Sequence, residues 1–141
     1  MAMDDPYTLR RFIEAQEPVY AEACAELRQG RKTGHWMWFI FPQIRGLGTS
    51  ETAQYFAIAS GQEAAAYAAH PVLGSRLREC SALVVEVDNK SVEQILGYPD
   101  NLKFHSSMTL FAQMTQDNQV FRDALKKYFD EKLDPQTLAR L

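Results

Sequence analysis

The sequence is poor in the residues from which metal and disulfide sites are built. Of 141 residues, two are cysteine and three are histidine. Cys24 and Cys80 fall inside predicted helices without ligand spacing. His35, His70 and His105 each stand apart from any Cys, His or carboxylate pattern, so no metal site is expected. Two free, buried thiols point to a reducing, cytoplasmic setting. Long hydrophobic runs are missing too. No stretch approaches the roughly 20 apolar residues of a membrane span, and the acidic N-terminus lacks the basic and apolar regions of a signal peptide. No membrane partner is therefore expected. Nor is there a basic excess: the formal net charge is −3 and the pI about 5.6, which argues against a nucleic-acid polymer as partner. The most basic run, RQGRK at Arg28 to Lys32, lies beside a helix end, where it answers the helix dipole. No cofactor fingerprint, internal repeat, linker or low-complexity tract is present.

What is there is an ordinary globular composition, 46% hydrophobic and 23% charged, in a chain the length of one domain, residues 1–141. Helix punctuation is legible throughout. DPYTLRRFIEAQ opens with Asp5 as a candidate N-cap and Pro6 at the first helical position, and DPQTLARL repeats the device with Asp134 and Pro135. PVYAEACAELRQG ends at Gly30, suited to a left-handed cap. Ser50 and Ser60 precede two further helical runs, and Pro71 opens a long one whose second half, ALVVEV, has the β-branched content of a strand. SVEQILG runs from a Ser91/Gln94 capping box to a Gly97 stop. These signals predict an all-α, compact bundle of about eight short helices, with at most a two-stranded scrap of sheet.

One segment breaks the helical pattern. GHWMWFIFPQ, Gly34 to Gln43, gathers two tryptophans, two phenylalanines, a methionine and an isoleucine. As a strand it would be apolar on both faces and short of pairing partners. It is therefore expected to be an irregular or short helical piece threaded through the core, with Pro42 enforcing an extended exit at Phe41. Trp36, Phe39 and Phe41 can be core anchors. Alternatively one indole, Trp36 or Trp38, lines a cleft and stacks on a ring or cation. Gln43 and the following Gly46 and Gly48 would sit at that cleft. The loop leads into a helix near Glu51 whose free amides could meet an anion.

A second anomaly lies in GYPDNLKFHSSMTLF. On a helix turning about 100° per residue from Asp100, Phe104, Phe111, Met114 and Leu110 fall on one arc. Lys103 and Ser107 fall inside it, while His105 and Thr109 point away. A lysine among core positions needs a partner or a ligand. Asp100 can be the N-cap and form an i,i+3 pair with Lys103. The alternative is a polar pocket floor, where Lys103 grips an anionic substrate and Ser107 donates a hydrogen bond or acts as nucleophile.

The runs HWMWFIFPQIRGLGTS, YAAHPVLGSRL and GYPDNLKFHSSMTLF, in that order, resemble the family catalogued as domain of unknown function 1810. The resemblance covers about Tyr7 to Phe129. Its blocks map onto Lys32, His35, Trp36, Trp38, Gln43, Gly46 and Gly48, then His70 and Pro71, then Asp100, Lys103, Ser106, Ser107 and Thr109. It implies a mainly helical single-domain fold and no particular reaction. Two functional expectations follow from the residues. One is an enzyme that hydrolyses or transfers a group on a small anionic nucleotide- or sugar-derived metabolite. Lys103 would stabilise charge, Ser107 and His35 would be catalytic, and Trp36, Trp38, Gln43, Gly46, Gly48, Asp100 and Ser106 would bind ligand. The other is a non-catalytic ligand- or partner-binding module using the same pocket.

Overall fold

Side-chain caps and left-handed stops divide the chain into helices joined by tight loops. The computed structural model describes residues 5–141, and the described residues form helices and loops without a strand. The helices are α1 (Arg10–Gln16), α2 (Tyr20–Gln29), α3 (Met37–Ile40), α4 (Glu51–Tyr55) and α5 (Gly61–Ala69). They continue with α6 (Leu73–Glu86), α7 (Val92–Leu96), α8 (Asp100–Met114), α9 (Gln119–Phe129) and α10 (Pro135–Leu138). An isolated parallel bridge joins Ile44 to Ile58.

Ser50, Ser60, Ser91 and Asp134 accept hydrogen bonds from the amides of Ala53, Glu63, Gln94 and Thr137, capping α4, α5, α7 and α10. Gly30 closes α2 at φ 72°, a left-handed conformation that costs a side-chain-bearing residue energy. Three expected starts move. Asp5 does not open a helix at Pro6: its carboxylate accepts the Leu9 and Arg10 amides at 2.8 and 3.1 Å, so α1 begins at Arg10. At Pro71 the helix waits until Leu73, where His70 Nδ1 takes the Val72 and Leu73 amides. Asp100 is not the N-cap of α8; Pro99 holds that position and Asp100 is the first helical residue. ALVVEV runs to the C-cap of α6 at Val87, because the described residues supply no strand to pair it and Val84 is fully buried against its neighbours.

The centre of the fold is α8, packed against α5, α7, α9 and α10. This explains why a one-sided wheel misdescribes it. Thr109, expected to face outward, is fully buried, and its hydroxyl accepts the Asp134 amide at 3.0 Å. The aromatic segment forms the single turn α3. Phe41 leaves it at ψ 74° and meets Phe104 of α8 edge-on, ring centroids 4.9 Å apart. Tyr67 of α5 joins Phe12 and Phe111 at 5.0 and 5.4 Å, which ties α1 to α8 through one ring. Arg11 fixes the chain after α4: its guanidinium donates to the Tyr55 and Ala57 carbonyls and pairs with buried Glu63 at 2.9 Å. No helix among the described residues is long and apolar enough to cross a membrane.

Candidate functional site

A cleft of about 460 Å³ opens where the α3–α4 loop faces α8 and α10. That volume is typical of a small-molecule site. Trp38, Gln43, Leu47 and the Gly46 and Gly48 backbone form one side. Phe56 and Ala57, positioned by Arg11, form the floor beneath them. Pro99, Leu102, Lys103 and Ser106 face them from α8, and His105, Asp134 and Gln136 close one end.

Two tryptophans two residues apart have different fates because α3 is helical, placing them about 200° apart. Trp36 is 2% exposed and donates its indole N–H to Glu26 Oε1 at 3.0 Å. It is a core residue and, against the expectation that it could form the cleft wall, it does not line the cleft. The same carboxylate oxygen takes the Thr33 and Gly34 amides at 2.8 and 2.9 Å. Burial alone pushes the Glu26 carboxyl up, but these donors outweigh it and hold it below the usual carboxylate range. Clamping the loop this way turns Trp36 inward and leaves its neighbour His35 exposed and outside the cleft. His35 is therefore not placed for the acid–base role expected of it.

Trp38 is half-buried on the cleft wall, with the Lys103 ammonium 4.8 Å from its ring centroid. Lys103 also pairs with Asp100 at 3.2 Å, and Lys32 reaches the other oxygen of the same carboxylate at 2.8 Å. The two readings of Lys103 are thus compatible: it pairs with Asp100 and lines the cleft. One carboxylate between two ammonium groups leaves a surplus positive charge. Lys32 spends its donors inward, on Asp100 and the Gly34 carbonyl at 2.6 Å. The surplus faces the cleft through Lys103, whose side chain is 26% exposed. Asp100 itself does not line the cleft; it orients the two lysines.

Ser107 is a second correction. It is fully buried, does not line the cleft, and its hydroxyl has no hydrogen-bond partner among the described residues. The cleft face of α8 is set by Leu102, Lys103 and Ser106, and Ser107 turns past its edge toward the core. A nucleophile needs access and a base, and Ser107 has neither. Gly46 and Gly48 do line the cleft, but for reasons of packing. At Gly46, φ is 100° and a Cβ would lie 2.7 Å from Arg140 Nε; at Gly48 it would lie 2.7 Å from the Ala53 side chain. Ser50 Oγ already takes the Ala53 amide, so the first turn of α4 is capped by its own chain.

The cleft also holds Asp134 and His105, which the sequence did not single out as site residues. Ser106 Oγ donates to Asp134 Oδ2 at 2.8 Å, and Thr137 adds its hydroxyl at 2.6 Å and its amide at 3.3 Å. Burial pushes the Asp134 carboxyl up, yet the Thr137 and Ser106 hydrogen bonds hold it below the usual range. The His105 ring stacks on Phe129 at 4.1 Å, and its Nε2 lies 2.7 Å from the Lys132 carbonyl. A carbonyl only accepts, so Nε2 carries the hydrogen and Nδ1 is left as the acceptor of the neutral ring. The one signal in the sequence was the Asp134–Pro135 helix start, which reads as a cap and gives no hint that the α10 turn folds back onto α8. No group of three His, Cys, Asp or Glu side chains placed to hold a metal occurs among the described residues.

The chain is similar to a conserved hypothetical protein of Mycobacterium tuberculosis, whose crystal structure superposes with a TM-score of 0.96 at 53% identity, covering 97% of this chain and 98% of that one. No curated protein matches. A family model spans residues 6–141, and the chain belongs to the family it describes, protein of unknown function (DUF1810).

Proposed function

We propose that the protein binds a small anionic, nucleotide- or sugar-derived metabolite in this cleft. The observation that carries the reading is Lys103. Its ammonium lies over the half-buried Trp38 ring on the cleft wall, beside a carboxylate already shared with Lys32. An anion gains from the surplus charge, and the indole offers a face for a flat or sugar ring. Leu47, Phe56 and Leu102 supply apolar walls, while Gln43 contributes a polar edge. The free thiols of Cys24 and Cys80 suit a cytoplasmic protein.

Catalysis, as hydrolysis or group transfer on that metabolite, is a second reading. It rests on His105 in place of His35, since a ring with Nε2 fixed as donor presents Nδ1 as a base. Thermal-shift screening of the purified chain against nucleotides and sugar phosphates tests the binding reading. Hits should quench fluorescence in the wild type and lose that quenching in Trp38→Phe. A flat response across the library, or hits indifferent to Trp38→Phe, defeats it. Turnover of any hit by the wild type and its loss in His105→Gln would favour the catalytic reading over binding alone.

A further inference from the structure

We propose that Asp134 and His105 form a hydroxyl-recognising subsite, so that the ligand class is a pentose phosphate, free or within a nucleotide, held by its cis-diol. This rests on the reading of the cleft as an anion-binding site and adds what the far end of the ligand must be. All three donors to the Asp134 carboxylate, from Ser106 and Thr137, converge on Oδ2. They hold the carboxylate in place and leave Oδ1 without a hydrogen bond among the described residues. Among the described residues no lysine or arginine pairs with this carboxylate, although both residue types pair elsewhere in the fold. Capping α10 and tying it to α8 needs one oxygen, which a serine or asparagine would supply. A second, unpartnered carboxylate oxygen on a cleft wall is an acceptor left for a ligand donor.

His105 supplies a second acceptor at the same end. Its ring is fixed by Phe129 and by the Lys132 carbonyl, so its remaining nitrogen, Nδ1, can accept a hydroxyl. Two fixed acceptors lining one cleft suit two vicinal hydroxyls, the way a carboxylate commonly reads a ribose. The scale fits as well. Lys103 and Asp134 line one cleft of about 460 Å³, room for a single sugar phosphate between them.

The test is titration of the full-length wild type by calorimetry with ribose 5-phosphate, 2-deoxyribose 5-phosphate, phosphoethanolamine and inorganic phosphate. Ribose 5-phosphate should bind about tenfold or more tightly than its 2-deoxy counterpart, because a site built around a hydroxyl rejects the analogue lacking it. Asp134→Asn, which keeps the cap and turns the free acceptor into a donor, should bring the two within about twofold. Asp134→Ser replaces it as the readout if the asparagine variant melts early. Lys103→Met should weaken both sugars alike. Equal binding of the two sugars by the wild type, or a preference that survives at position 134, overturns the subsite while leaving an anion site that Lys103→Met still removes. Phosphoethanolamine binding more tightly than ribose 5-phosphate overturns the diol in favour of an ammonium group. No binding of any probe defeats the anion reading of the cleft and this inference with it.

Discussion

Replacing Lys103 by methionine separates a lysine that serves the cleft from one that serves the fold. The ammonium makes two contacts, Asp100 at 3.2 Å and the Trp38 ring at 4.8 Å. With the side chain 26% exposed, solvent screens the ion pair. Such pairs contribute about 0–1 kcal/mol, and a cation over a partly wet ring about 0.5–1 kcal/mol. Asp100 keeps Lys32 at 2.8 Å after the change, so no carboxylate is stranded, and methionine refills the space over Trp38. The net cost should be about 1 kcal/mol or less, a fall in Tm of about 2–4 °C at this chain length. Binding should suffer much more. Losing a charged donor to an anion costs about 1.5–3 kcal/mol, or roughly ten- to a hundredfold in Kd. Lys32→Met gives the opposite pattern. The Lys32 side chain is 8% exposed and also satisfies the Gly34 carbonyl, so its loss should destabilise by about 3 kcal/mol. Calorimetric melting with phosphate-ester titration reads both quantities. If Lys103→Met destabilises as much as Lys32→Met, or leaves affinity unchanged, the division of labour between the two lysines is wrong.

Three further outcomes follow from individual residues. Ser107→Ala removes a buried hydroxyl that has no partner, so urea denaturation should show stability unchanged or raised by up to about 1 kcal/mol, with ligand binding intact. Gly46→Ala places a side chain at φ 100° against Arg140 and should cost about 1–3 kcal/mol in the same assay. The Asp134 and Glu26 carboxyls are both held below their usual range. Their stabilisation is therefore complete above the ordinary carboxylate pKa and is lost as pH falls through the lower folded values, and Glu26→Gln should flatten the acid limb of a stability–pH profile below about pH 4.

Local chemistry made the helices legible. Ser50, Ser60, Ser91 and Asp134 act within three residues of themselves, and Gly30 needs only its own backbone conformation, so each can be read from a short window. The starts that moved did so for a local reason of another kind. Asp5 and His70 bond amides beyond the immediate turn and delay helix onset past the proline that marked it. The wheel of α8 failed for a non-local reason. A wheel presumes one wet face, and α8 is enclosed by four other helices, so Thr109 is buried where a surface helix would place it near water.

The site divides along the same line. Trp38, Gln43, Gly46, Gly48, Lys103 and Ser106 reach the cleft from two segments that were anomalous in the sequence itself. An aromatic run that breaks helical periodicity and a lysine near an apolar arc are both departures from a local rule, and departures of that kind concentrate where a fold makes room for something other than itself. Asp134 and His105 depart from no local rule. Asp134 reads as a sound N-cap, and it is one; His105 reads as an outward histidine on a helix. What makes them part of the cleft is that Thr109 accepts the Asp134 amide while Ser106 holds its carboxylate, 25 and 28 residues away in the chain. The α10 turn is thereby fastened against α8 with one carboxylate oxygen to spare. A residue whose structural duty occupies half of its hydrogen-bonding capacity is invisible to pattern reading, and the half left over is the part that can meet a ligand.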